Sequence, residues 1–122
     1  MITKVLVGTD GSMTARVAVA RAAEVAGNVG AELTILSAGR NGEQVAREAA
    51  AQHDAAGLSV TALGAGGDPA RALVHEANRG GYDLVVTGNK GLTGFRRLSP
   101  TDRTPGKVAH HLPCSFLVVK TT

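Results

Sequence analysis

The chain is 122 residues long, with 13 basic residues against 10 acidic ones and a formal charge of +3. That length suits one domain, residues 1–122, whose core buries roughly two-thirds of the unfolded surface without a metal or disulfide staple. Phe95, Phe116 and Tyr82 are the only aromatic residues and Cys114 is the only cysteine. The core must therefore come from Ala, Val and Leu, and an intramolecular disulfide framework is excluded.

No stretch approaches the roughly 18–20 apolar residues of a membrane span. Met1-Ile2-Thr3-Lys4 runs straight into a strand-like segment, without the basic and apolar regions of a signal peptide. The expectation is a cytoplasmic domain that engages no membrane. The charge is unevenly placed: residues 1–87 hold 7 basic and 9 acidic groups, whereas residues 88–122 hold 6 basic groups and only Asp102. All of the positive surplus belongs to the last third.

Ile2 to Gly8 is a short apolar, β-branched run closed by Gly8-Thr9-Asp10-Gly11, which predicts a strand buried on both faces. Ser12 is an N-cap for a helix over Met13 to Ala26, with Ala15, Val19, Ala22 and Ala26 on its inner face and Gly27 to Gly30 as its stop. A second strand is predicted at Leu33 to Leu36 and stops by Gly39. A second helix follows over Glu43 to Ala56, with Val45, Ala49, Gln52 and Ala56 inward. Ser59 to Leu63 reads as a weaker third strand, and Gly64 to Gly67 as a loop. Asp68-Pro69 is a strong start for a helix carrying Leu73, Val74 and Ala77, closed by Gly80-Gly81. Leu84 to Thr87, a short helix around Lys107 to His111, and Phe116 to Val119 complete the series.

Strands alternating with helices imply parallel pairing, right-handed crossovers and helices on both faces. The fold expected is α/β, a doubly wound five-stranded parallel sheet of order 3-2-1-4-5. In such sheets, ligands bind beyond the carboxyl ends of the strands where the winding reverses, here between the first and fourth strands. The loops at that point are Gly8 to Ser12 and Gly88 to Gly94, both rich in glycine. Backbone N–H groups freed by glycine converge readily on anions, and Lys90, Arg96 and Arg97 lie in or just beyond the second loop. Tight strand exits need glycine in any case, so spacing alone leaves phosphate binding and a plain turn equally open. Neither G-x-x-x-x-G-K-[ST] nor a G-x-G-x-x-G opening a helix after the first strand is present.

Gly8-Thr9-Asp10-Gly11-Ser12, Gly67-Asp68-Pro69, Gly88-Asn89-Lys90-Gly91 and the closing Pro113-Cys114-Ser115-Phe116-Leu117-Val118-Val119 together resemble the universal stress protein family, in the right order along essentially the whole chain. The resemblance implies a Rossmann-like or flavodoxin-like fold, usually dimeric, in a family with ATP-binding and non-binding members. Its binding members carry G-x2-G-x9-G-[S/T] after the fourth strand. Carried over, the motif makes Thr9, Asp10, Ala38, Thr87, Gly88, Lys90, Gly91, Thr101 and Arg103 candidate contacts for ATP, AMP or cyclic AMP. Asp10 is then placed beside ribose, phosphates or a bound Mg²⁺, and Ala38 offers its backbone to adenine.

The motif is half kept. Gly88 and Gly91 match, but Thr101 and Asp102 stand where the third glycine and the hydroxyl belong. Pro100 and Pro105 remove N–H donors from the same stretch. A like charge about 4 Å from a phosphate costs on the order of a few kcal/mol at intermediate dielectric, which sets Asp102 against a triphosphate. Arg103, Lys107, Ser99 and Thr104 are available to compensate. The link from Gly39 to Gly42 is also shorter than is usual in the family.

Other residues support less. Asp10 reads equally as a turn carboxylate. His110, His111 and Cys114 have no second ligand pair at zinc spacing, so no metal centre is assigned. Of these, His111 is expected to pack at the helix end and His110 to face solvent. His53 and His75 have no recognisable nucleophile, and no catalytic residue is assigned. Arg96-Arg97 is a basic rim with only Phe95 near it, too few aromatics for a nucleic-acid binder. Three functions compete: a regulatory module binding an adenine nucleotide in stress adaptation, a nucleotide-free dimeric interaction protein of the same family, and an enzyme limited to weak ATP hydrolysis. The last strand is a candidate edge for homodimer pairing.

Overall fold

The computed structural model describes residues 1–54, 57–89 and 105–121, with backbone only for 105–107. Among the described residues nine elements alternate: β1 (Lys4–Gly8), α1 (Met13–Val29), β2 (Glu32–Ala38), α2 (Gly42–Gln52), β3 (Val60–Ala65), α3 (Pro69–Gly80), β4 (Leu84–Gly88), α4 (Pro105–His110) and β5 (Ser115–Val119). The strands form one sheet of order β3-β2-β1-β4-β5 with every neighbouring pair parallel, as the alternation predicts. Register runs from Lys4 opposite Glu32 to Gly8 opposite Leu36, and Val5 to Val7 pair with Leu84 to Val86.

Burial on both faces explains the continuous apolar strands. Val5, Leu6, Val7, Val85 and Val86 are wholly buried, and they divide by parity between two layers. On one side Val5, Val7, Leu33 and Ile35 meet the small face of α1, built from Ala15, Ala18, Val19, Ala22, Ala23 and Ala26, and Ala46 of α2. On the other, Leu6, Leu36 and Val85 meet Leu73 and Ala77 of α3, with Leu112, Cys114 and Phe116 packed against them. Asn78 donates from Nδ2 to the carbonyl of His111, fastening the end of α4 to α3. Alanine dominates the inner face of α1 because small side chains let helix and sheet approach closely, which substitutes for aromatic bulk.

The caps fall where the sequence places them. Ser12 Oγ accepts from Ala15 N, and Asp68 caps α3 through Arg71 N with Pro69 at its first turn. Boundaries differ at three points. Helix α1 runs through Gly27 to end on Gly30 at φ +73°, because a single glycine inside a helix costs only about 1 kcal/mol. Helix α2 begins at Gly42 and ends at Gln52, its buried positions being Gly42 and Ala46; Val45 and Ala49 are half-buried, Gln52 is exposed, and Ala56 lies outside the described residues. Gly64 and Ala65 belong to β3, not to a loop. That extension depends on close approach: a Cβ on Gly64 would lie 2.6 Å from the Glu43 amide nitrogen, and one on Gly42 would meet the Ser37 carbonyl. Glycine is selected at both positions because helix and sheet touch backbone to backbone.

Candidate functional site

Beyond the carboxyl ends of β1, β2 and β4 the chain leaves a cleft. Gly8, Thr9, Asp10, Leu36, Ala38, Thr87 and Gly88 line it, with Ala15 from α1 and Pro69 and Leu73 from α3. It lies at the reversal of winding, since α1 and α3 leave the sheet on opposite faces. Five of the predicted contacts, Thr9, Asp10, Ala38, Thr87 and Gly88, therefore line one cavity. Lys90, Gly91, Thr101 and Arg103 lie outside the described residues, as do Phe95, Arg96, Arg97, Ser99, Asp102 and Thr104.

The first wall is a hydrogen-bonded turn. Thr9 N donates to the Leu36 carbonyl at 2.9 Å, the last rung between β1 and β2. Thr9 Oγ1 then accepts from Gly11 N at 3.1 Å, and Asp10 Oδ1 accepts from Ser12 N at 2.9 Å. Gly11 sits at φ +82°, where an added Cβ would also approach Val45 at 3.1 Å. Asp10 is exposed and does what a turn carboxylate does, while also standing at the cleft mouth.

The second wall is the end of β2. Gly39 N donates to Ala65, so odd positions here pair toward β3 and even positions toward β1. Ala38 extends past Gly8, the last residue of β1 in register, which aims its amide and carbonyl at the gap where β1 has turned away. One donor and one acceptor on adjacent atoms of an extended strand suit the edge of a planar heterocycle.

The third wall is β4. Thr87 is buried and faces the cleft, whereas a Cβ on Gly88 would point the opposite way, toward Thr121 Cγ2 at 3.2 Å and Ala18 at 3.7 Å. Gly88 therefore contributes backbone to the cleft, and a bulky residue there would strike α1 before touching a ligand. Asn89, which sequence reading treated only as part of the glycine-rich loop, fixes the start of that loop: its N–H donates to Val119 O, and its Oδ1 accepts from Thr121 N at 2.9 Å and Thr121 Oγ1 at 2.8 Å. The apolar floor of Leu36, Pro69 and Leu73 also went unrecognised, because helical periodicity places a residue inward without saying how far along the strand it lands.

Among the described residues, shifted ionisations gather at the other end of the sheet. Tyr82 is pushed up to about 12, first by burial, with Glu76 adding to the rise and a Thr34 bond opposing it. The Thr3 amide and hydroxyl, joined by the Lys4 amide, hold the Asp83 carboxyl below its usual range. Burial raises the Cys114 thiol, and its half-buried side chain packs beside Leu112 and Phe116. His110 and His111 are both exposed, so the packing expected of His111 is made by its carbonyl alone. Among the described residues no group of three or more His, Cys, Asp or Glu could hold a metal ion, and no helix is long and apolar enough to cross a membrane.

The universal stress protein family model matches residues 1–42 and 37–120. The chain belongs to the universal stress protein family. A universal stress protein solved in complex with cAMP is 32% identical, with 99% of this chain and 98% of that one aligned at a TM-score of 0.82. A protein of Mycobacterium tuberculosis H37Rv is 34% identical over 99% of this chain and 97% of its own, with a TM-score of 0.66. The universal stress protein UspA from Lactobacillus plantarum, at 20% identity, 98% coverage of both chains and a TM-score of 0.70, shares the fold. A search of curated protein sequences finds no significant match. The resemblance read from the three glycine-containing turns and the closing strand thus identifies the family correctly.

Proposed function

We propose that this universal stress protein is a cytoplasmic regulatory module that binds an adenine nucleotide in the cleft between β1 and β4. The observation that carries the reading is the gathering of Thr9, Asp10, Ala38, Thr87 and Gly88 around one cavity at the winding reversal. A relative of 32% identity solved with cAMP supports it. Ala38 would bond the adenine edge through its backbone, Leu36, Pro69 and Leu73 would cover the ring, and Asp10 and Thr9 would meet the ribose. Among the described residues Asp10 is the one carboxylate lining the cleft, so a Mg²⁺ there would draw on ligand phosphates for much of its shell.

The phosphate end favours a small anion. With Thr101 and Asp102 in place of the third glycine and the hydroxyl, a monophosphate such as AMP or cyclic AMP fits the sequence better than ATP. Lys90 and Arg103 are the cations assigned to that end. No general base or phosphate-gripping lysine motif supports turnover, and the module acts by binding. It works as a homodimer through β5, which lies at the edge of the sheet.

Native mass spectrometry of the purified protein, followed by calorimetric titration with cyclic AMP, AMP and ATP, tests this. Binding of cyclic AMP or AMP more tightly than ATP is expected. If none of the three binds at up to about 1 mM, a bound state worth less than about 4 kcal/mol, the cleft does not serve a nucleotide. The second reading, a nucleotide-free interaction module, then takes its place; the substitutions at Thr101 and Asp102 favour it.

A further inference from the structure

Gly88 ends β4 and lends its backbone to the cleft, and the residue after it is tied to β5. Gly88 stands opposite Val119 in register, and the Asn89 N–H donates to Val119 O at 2.9 Å. In an unbroken parallel ladder the next rung would run from Thr121 N to the main-chain carbonyl of Asn89. Thr121 N donates instead to Asn89 Oδ1 at 2.9 Å, and Thr121 Oγ1 donates to the same oxygen at 2.8 Å. A side-chain carbonyl replaces a main-chain one, so β5 keeps hold of the chain at the point where β4 ends.

Thr121 also packs where Gly88 has no side chain. A Cβ on Gly88 would lie 3.2 Å from Thr121 Cγ2, on the face turned toward Ala18 of α1 and away from the cleft. Thr121 itself is not among the residues that line the cleft. Both of its bonds to Oδ1 lie at the exposed margin of the sheet, where water competes for the same groups. Such contacts open locally without unfolding the strands behind them.

We infer that Asn89 and Thr121 form a latch through which the end of β5 sets the nucleotide affinity of the cleft, with Thr121 as a positioning residue. The inference rests on the nucleotide reading of the cleft and adds its regulation. Closed, the latch fixes Gly88 beside Thr87, and it fixes the point from which Lys90, the cation assigned to the phosphate end, follows in the chain. Open, Gly88 holds its binding geometry for only part of the time, and the apparent affinity falls by that fraction. Linkage runs both ways, so a bound nucleotide closes the latch and steadies the end of β5. Any event that draws Thr121 from Asn89 weakens nucleotide binding from outside the cleft.

Calorimetric titration of cyclic AMP and AMP into the full chain, with Thr121→Val, Thr121→Ser, Asn89→Ala and the Asn89→Ala/Thr121→Val double variant, tests the latch. Thr121→Val keeps the shape and loses the hydroxyl, and should weaken binding by about fivefold. Thr121→Ser keeps the hydroxyl and should bind within about twofold of the unaltered protein. The double variant should bind no more weakly than Asn89→Ala alone, because either change opens the same latch. Saturating cyclic AMP should also slow hydrogen exchange of the Thr121 amide by about fivefold or more. Affinity unchanged in Thr121→Val overturns the inference even if its unfolding midpoint drops, since that marks a structural bond alone. A serine variant as weak as the valine one, losses that multiply in the double variant, or a Thr121 amide indifferent to nucleotide each overturns it as well. In all of these the unaltered protein still binds; if it binds neither nucleotide at about 1 mM, the reading of the cleft fails and takes the latch with it.

Discussion

At the N-terminal ends of the strands, side chains fill the space and bond one another. Glu76 holds Arg79 and Tyr82, and Lys4 lies over the Tyr82 ring at 4.6 Å while donating to Gly80 O at 2.5 Å. At the C-terminal ends, Gly8, Gly11, Ala38 and Gly88 bring little beyond backbone, and a small cleft of about 50 Å³ is left between β1, β2 and β4. Among the described residues the ionisation shifts gather at the filled end, where they follow from burial and structural hydrogen bonds.

Substitutions that affect one end and leave the other untouched test that division. The largest effect is expected from Glu76→Ala, which strips Tyr82 of its acceptor and should cost about 3 kcal/mol in urea unfolding. Nucleotide affinity should not change, and a parallel loss of affinity would show that the ends are coupled. Next, Ala38→Phe places a ring in the cleft and should lower cyclic AMP or AMP affinity by about 100-fold with little change in unfolding midpoint. Unchanged affinity would move any nucleotide elsewhere. Asn89→Ala, which frees Thr121, should cost about 1 kcal/mol in thermal unfolding and weaken nucleotide binding by a smaller factor than Ala38→Phe.

The smallest effect concerns pH. The fold favours the neutral Tyr82 hydroxyl, since its ionisation is pushed up to about 12 from an ordinary value of 10.0. Its contribution is therefore whole below pH 10 and lost as the pH rises through about 12. Urea unfolding across that interval should show a loss in the native sequence that Tyr82→Phe lacks.

The strand order and the position of the cleft were legible because they follow from alternation and glycine placement. Val5 to Val7 could only be buried on both faces, and Ser12 and Asp68 are caps by chemistry. What was missed depends on distance between elements. Gly64 read as a loop because glycine disfavours strands, yet the approach of Glu43 makes glycine the residue that fits there. The inward face of α2 was placed on Val45 and Ala49, one position away from Ala46, because its helix is alanine-rich and offers little contrast to periodicity. Gly88 was read as a phosphate-facing glycine, and only coordinates reveal that its missing side chain accommodates Ala18 and Thr121.

The single tyrosine has a practical consequence. With no tryptophan in the chain, Tyr82 is its strongest ultraviolet chromophore, and it is enclosed at the end of the sheet away from the cleft. Its emission would report on the contacts with Glu76 and Lys4 and stay silent while a ligand entered between β1 and β4. The same scarcity makes the protein nearly transparent where adenine absorbs, so any nucleotide carried through purification would dominate the absorption spectrum of the sample.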